Sequence, residues 1–293
     1  MSFKEALDSG KFVVTTQIGV PRVTNIDKMI HHIDLLKDKV DGLIIADNQS
    51  AEVGVPSLVA CHLIKERGGE SILQLTCRDK NRLALQLELI GASLLGINNA
   101  ICITGDYVTR GNNIEAKPVF DLDAVQLLQT VRLLEQGKDL GGNELSGAVK
   151  FCTGAMLIPD PDTKELQLIN LEKKIQAGAE FFLACATYNM EKFKQFMSYT
   201  QTFRVKIIAA VLLLASAEMA RYWNDTVPGI SITQELIDDL AGAKRDMALE
   251  KGIEIASEMI KRVKEETSCS GVHIMAPGEE GIIPEILATA GIR

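Results

Sequence analysis

Polar side chains stand where short apolar runs of this chain end. Gln17, Arg22, Asp47, Asn48, Gln74, Thr76, Arg78, Asp79, Thr104, Gly105, Asp106, Cys185, Tyr188 and Asn189 all lie at or just beyond such an end. Carboxylates, amides and hydroxyls gathered this way can bind and orient a polar organic ligand. Asp, Asn and Gly serve equally as turn formers and helix caps. Asn170 and Lys174 lie about one helical turn apart on an amphipathic stretch, where Lys174 adds a positive charge. Metal and disulfide chemistry is poorly supplied. The 6 cysteines show no CxxC spacing, and two of the 4 histidines are the adjacent His31 and His32, so free buried thiols and no metal site are expected. Glu279 and Glu280 read as acidic residues at a helix start, and His273 as a hydrogen-bonded histidine inside a strand.

The elements that must position these residues follow from hydrophobic period and run length. Strands are predicted at residues 12–18, 42–46, 71–76, 100–104, 149–155, 181–184, 206–211 and 271–275. Helical patterns lie between them, for example at 26–39, 81–90, 123–136, 166–177, 190–202 and a long one at 234–264. Near-continuous apolar strands, each returned by a helix, describe a parallel sheet buried on both faces. Repeated eight times, that pattern predicts an α/β fold, a single (β/α)8 TIM barrel over residues 1–293, with the strand ends above forming its site. A doubly wound sheet is the alternative. No GxGxxG follows the first strand and no GxxxxGK[ST] occurs, which favours the barrel.

Composition excludes several classes. With 31 Lys+Arg against 39 Asp+Glu, the net charge of -8 lacks the footprint of a nucleic-acid binder. The start of the chain has no secretory pattern. The apolar run 207–217 is about 11 residues, short of the roughly 20 that span a bilayer, so no membrane span and a cytoplasmic location are expected. Lys244, Arg245, Lys251, Lys261, Arg262 and Lys264 on the last long helix read as a solvated face, part of which could serve a homo-oligomer or complex interface.

Several strand ends carry a resemblance. The segments Gln74-Leu75-Thr76-Cys77-Arg78-Asp79-Lys80-Asn81-Arg82, Ile103-Thr104-Gly105-Asp106 and Lys117-Pro118-Val119-Phe120-Asp121-Leu122-Asp123 resemble the methylenetetrahydrofolate reductase family. So do Asp47-Asn48-Gln49-Ser50-Ala51, Asn170-Leu171 with Lys174 and Gly178-Ala179, and Gly271-Val272-His273-Ile274-Met275. The resemblance implies a barrel holding FAD at its strand ends, which reduces 5,10-methylenetetrahydrofolate to 5-methyltetrahydrofolate, or runs the reverse, by hydride transfer through the flavin. It places Gln74, Thr104, Gly105, Asp106, Phe120, Asn170 and Lys174 on the cofactor. Asp106 is also implied to bind the folate pterin, since a carboxylate suits its amino and ring N–H donors. Gln17, Asp47 and Cys185 are expected on the substrate side, with Asp106, Gln17 and Tyr188 as the residues of the chemistry.

The chain also departs from the family. Where the first strand usually ends in an acidic Glu, this one has Gln17, and an amide has no titratable proton to give. Asp47, Tyr188 or an ordered water then becomes the candidate proton source. Cys185 stands in place of a pterin-contacting Gln, and the seventh strand continues as Ala209-Ala210-Val211-Leu212-Leu213-Leu214 without the family's substrate-stacking Phe. These departures leave three functions open. One is a working reductase that draws electrons from NAD(P)H or a partner electron-transfer protein. Another is a related flavoprotein with altered one-carbon or pterin specificity. The third is a partner subunit without independent reductase activity.

Overall fold

A computed structural model describes residues 1–48, 51–186, 188–227, 229–230, 232–242 and 247–292. Gln49 and Ser50 of the Asp47 motif, and Lys244 and Arg245, fall outside them. The strands are β1 (Val13–Gln17), β2 (Gly42–Ile45), β3 (Ser71–Thr76), β4 (Asn99–Ile103), β5 (Cys152–Leu157), β6 (Phe181–Ala184), β7 (Lys206–Leu212) and β8 (Gly271–Met275). All pair in parallel, in chain order, and β1 meets β8 with Thr15 opposite His273, which closes the barrel. Closure leaves no edge strand, so the backbone groups of every strand are paired on both sides.

The helices are α1 (Phe3–Asp8), α2 (Asp27–Leu36), α3 (Ser57–Glu66), α4 (Arg82–Leu94), α5 (Ala124–Glu135), α6 (Lys164–Gln176), α7 (Met190–Thr200), α8 (Ala217–Thr226), α9 (Gln234–Gly242), α10 (Ala248–Glu266) and α11 (Ile283–Thr289). Alternate strand residues such as Val14, Leu43, Leu73 and Cys102 pack outward in the core shared with the helices. Val13, Ile44, Ile72, Ile101, Phe181 and Ile208 fill the interior of the barrel. There Gly154 makes room for the Phe181 ring, which a Cβ at residue 154 would overlap. His273 is the hydrogen-bonded barrel histidine expected, 3.1 Å from Thr15 Oγ1, and burial pushes its pKa down to about 3.

Several helices differ from the patterns named: α3, α8 and α11 follow their strands where no helical stretch was named. The predicted helix 234–264 is α9 and α10, on either side of residues 243–246. Helix α1, not foreseen, packs across the N-terminal end of the barrel. Its Phe3 joins the interior cluster and meets Phe181 edge to face, with ring centroids 5.2 Å apart. Lys4 pairs with Glu180 and Asp8 with Lys206, both next to strand starts. With that end plugged, the ligand-accessible mouth is at the strand C-terminal ends. Among the described residues no helix is long and apolar enough to cross a membrane.

Candidate functional site at the barrel mouth

Arg78 organises one side of the mouth. Its side chain is fully buried just past β3. Nε and Nη2 donate to the Asp79 carboxylate at 2.8 and 2.6 Å, Nη2 donates to the Asn48 carbonyl at 2.7 Å, and Nη1 to the Asp106 carbonyl at 3.3 Å. The Arg78 carbonyl accepts the Val119 N–H at 2.7 Å. One residue therefore ties together the segments after β2, β3 and β4. The fixed fork of a planar guanidinium suits this, giving two parallel donors to the carboxylate and others to the carbonyls.

Residues 104–106 rest on that support. Gly105 has φ +98, and a Cβ there would overlap Thr76 Oγ1 and lie 3.0 Å from Arg78 Cβ, so only glycine fits. Exposed Thr104 accepts the Ala124 N–H on its Oγ1 at 3.1 Å, which fixes the start of α5 and leaves its own hydroxyl hydrogen to donate. The Asp106 side chain is 40% exposed and faces Arg110 Nη1 at 3.4 Å, so it remains open to a ligand. Phe120, at φ +42, is half-buried with its ring against Tyr107.

Behind these residues lies a buried charge cluster. Asp47 accepts Ser57 Oγ on Oδ1 at 3.0 Å, and the Thr76 N–H and Lys80 Nζ on Oδ2 at 2.9 and 2.7 Å. Its own N–H donates to Gln74 Oε1 at 3.4 Å. Lys80 also pairs with Glu88 at 2.7 Å. Burial works against the Lys80 charge, yet Asp47 and Glu88 together hold its pKa above the usual lysine range. Burial raises the Glu88 carboxyl, and Lys80 pulls back against it. Asp47 is thus engaged on both oxygens and steadies Gln74 and the end of β3.

The far side of the mouth carries the cation. Lys174, on α6, donates to the Met156 carbonyl at 2.8 Å and makes no ion pair among the described residues. Burial lowers its pKa, while Cys185 and Asp123 work to raise it. The Cys185 thiol is pushed up to about 11, chiefly by burial; Lys174 lowers it and Asp106 raises it. Met156 lies near the C-terminal end of β5, and Asp106 and Cys185 follow the ends of its two neighbours β4 and β6, so the three side chains share one end of the barrel. Asn170 is half-buried one turn before Lys174. Gln17 is half-buried at the end of β1, in phase with the interior residues Val13 and Thr15. Tyr188 stands apart, because its ring is packed in the core and its hydroxyl donates to the Leu212 carbonyl. Burial raises that phenol well above its ordinary pKa, and its hydrogen is already committed.

Sequence reasoning missed Lys80 and Glu88. The available signal was a carboxylate, Glu88, set within the buried Leu85, Leu89 and Ala92 stripe of α4. Glu280 does open a short 3-10 helix ahead of α11, as its reading as a helix-start charge expects, and it is also buried with its carboxylate 3.3 Å from His32 Nδ1. Burial lowers the His32 pKa, and Glu280 opposes that shift.

An ammonium with no carboxylate partner among the described residues, at the same end of the barrel as an open carboxylate and a hydroxyl donor, fits a ligand with an anionic part and a heteroaromatic part bearing N–H groups. FAD and a reduced folate both have that character.

Residues 2–291 match the family model of methylenetetrahydrofolate reductase. The chain is 23% identical over 241 residues to a probable methylenetetrahydrofolate reductase (NADPH) of Caenorhabditis elegans, covering 80% of this chain and 34% of the relative. It is 25% identical over 240 residues to methylenetetrahydrofolate reductase 2 of Schizosaccharomyces pombe, covering 75% and 35%. The chain thus spans about a third of the length of these curated relatives. Among solved structures, a Clostridium thermocellum protein described as binding two copies of 5-methyl-5,6,7,8-tetrahydrofolic acid superposes with a TM-score of 0.66 at 17% identity, over 98% of this chain and 97% of that one. DmoA from Hyphomicrobium sulfonivorans superposes with a TM-score of 0.55 at 12% identity, over 95% and 88%. Both likenesses are of fold.

Proposed function

Because this chain belongs to the methylenetetrahydrofolate reductase family, we propose that it is an FAD-dependent oxidoreductase interconverting 5,10-methylenetetrahydrofolate and 5-methyltetrahydrofolate. The observation that supports this reading is that Lys174 reaches the Met156 carbonyl near the end of β5 while Asp106 follows the end of the neighbouring β4, at the same end of the barrel. Gln74, Thr104, Gly105, Phe120, Asn170 and Lys174 would hold the FAD, with the Lys174 ammonium toward its anionic portion. When bound, FAD supplies the hydride relay that no amino-acid side chain provides.

The chain's own residues do the rest. The open Asp106 carboxylate accepts the N–H donors of the pterin and sets its orientation. Gln17 positions the folate through its amide without transferring a proton. Asp47 already accepts three donors, one of them the Lys80 ammonium, and Tyr188 is committed to Leu212. The proton for ring opening therefore reaches the folate nitrogen from water at the mouth. Cys185 completes the substrate side with a short, weakly polar contact, which loosens the demand on the pterin edge. The reductant is NAD(P)H, in keeping with the name of the nematode relative, or a partner electron-transfer protein.

Calorimetric titration with FAD tests the cofactor assignment. The wild-type protein binds FAD, and Lys174→Met weakens that binding about tenfold, an effect that shrinks as salt rises. A wild-type protein that takes up no FAD, or a Lys174→Met variant with unchanged affinity at low salt, contradicts the assignment.

A further inference from the structure

Tyr107 is out of place as a structural residue. Phe3, Phe151, Phe181, Phe182, Tyr188, Phe193 and Phe196 are all buried, whereas Tyr107 is 73% exposed beside Asp106; Tyr222, the other strongly exposed aromatic among the described residues, lies on α8, and Tyr107 alone of the two adjoins the strand-end carboxylate. Among the described residues its one ring contact is with Phe120, at 6.1 Å between centroids and 73° between planes, and most of the ring is open to solvent. The segment carrying it is nevertheless held in place. The Arg78 side chain binds the carbonyl of Asp106, the Arg78 carbonyl binds the N–H of Val119, and Val108 is buried directly after the tyrosine. Two aromatic rings of the β4–α5 connection are thus held together at the mouth by a single buried residue. Across from them, β7 ends in buried aliphatic side chains from Ala209 to Leu214, which offer no aromatic face.

An exposed aromatic ring on a tethered loop presents a flat, largely apolar surface at little cost in chain entropy. The neighbouring Asp106 carboxylate can accept N–H groups only from a ligand edge brought close to the same loop. One planar heteroaromatic ring with N–H donors along its edge satisfies both. We propose that Tyr107 is a specificity-determining residue, whose ring stacks on the pterin of a folate-type substrate while Asp106 takes the pterin's N–H groups. This inference rests on the folate reading above and adds the residue that reads the ring face.

The test compares Tyr107→Ala and Tyr107→Phe with wild type by calorimetry, using 5-methyltetrahydrofolate and FAD as separate probes and thermal melting as the fold check. Because the ring is exposed, both variants should melt close to wild type. Tyr107→Ala is expected to weaken 5-methyltetrahydrofolate about tenfold, while Tyr107→Phe keeps wild-type affinity, since stacking needs the ring and not the hydroxyl. FAD affinity stays the same in all three proteins. The inference alone is overturned if wild type binds folate and Tyr107→Ala binds it equally well, or if Tyr107→Ala loses FAD in the same proportion. A wild-type protein that binds no folate overturns the functional reading, and this inference with it.

Discussion

Replacing Gly105 with alanine is expected to destabilise the protein by about 2–6 kcal/mol and to abolish tight FAD binding. Two independent penalties add. The backbone sits at φ +98, where an L side chain is strained by roughly 1–3 kcal/mol. The new methyl would overlap Thr76 Oγ1 and press on Arg78 Cβ at 3.0 Å, an overpacking cost of about 1–3 kcal/mol. Neither neighbour can yield cheaply. Thr76 Oγ1 donates to the Thr104 carbonyl at 3.4 Å and accepts the Arg78 N–H at 3.3 Å, so moving it disturbs both segments beside Asp106. Thermal unfolding should show a midpoint lower by about 10 °C. A variant that melts with wild type and binds FAD normally would mean that the 104–106 backbone is not held as described.

Lys80→Met should be comparably severe and, unlike the glycine variant, strongly dependent on pH. Lys80 is the shared partner of Asp47 and Glu88, with side chains 22%, 9% and 15% exposed. Removing the cation leaves two carboxylates facing each other in a poorly solvated space, a loss of about 3–5 kcal/mol at neutral pH. Burial already lifts the Glu88 carboxyl above its ordinary value, and Lys80 restrains the rise. Without Lys80 the folded-state pKa climbs further. A carboxyl whose folded pKa exceeds its unfolded value costs stability as pH rises from the unfolded pKa through the folded one. The penalty of the variant is therefore smaller near about pH 5, where Glu88 is partly protonated, and larger near about pH 8. In wild type, Lys80 has a raised pKa, so its contribution is complete below the unfolded lysine value and fades only as pH rises through the folded one. Urea midpoints of both proteins at the two pH values measure the difference. A penalty independent of pH would show that the carboxylates are solvated well enough to need no partner.

The barrel was legible because each strand is a short apolar run ended by a turn former, and because the parallel arrangement buries both strand faces. Each of β1–β8 overlaps its predicted run. Helix α1 was not legible, since its 6 residues are too few to show a helical period and its role depends on the strand starts it covers. The polar residues at the mouth could be named from sequence, but their division of labour could not. Arg78 stands among the strand-end candidates, yet its importance comes from carbonyls at Asn48 and Asp106, and main-chain acceptors leave no mark in composition. Asp47 and Tyr188 carry the right groups for proton transfer, and only their partners reveal how each is engaged. The His32–Glu280 pair joins residues from the two ends of the chain, a pairing that local pattern cannot display.

The central claim is that flavin and folate meet at the Asp106 side of this mouth. An anaerobic visible spectrum of the FAD-loaded protein, followed during addition of 5-methyltetrahydrofolate, tests it most directly. The oxidised-flavin band should bleach as the folate gives up its hydride, and should return when 5,10-methylenetetrahydrofolate is supplied in excess. A flavin spectrum that 5-methyltetrahydrofolate leaves unchanged, in a protein shown to bind both molecules, would contradict the claim.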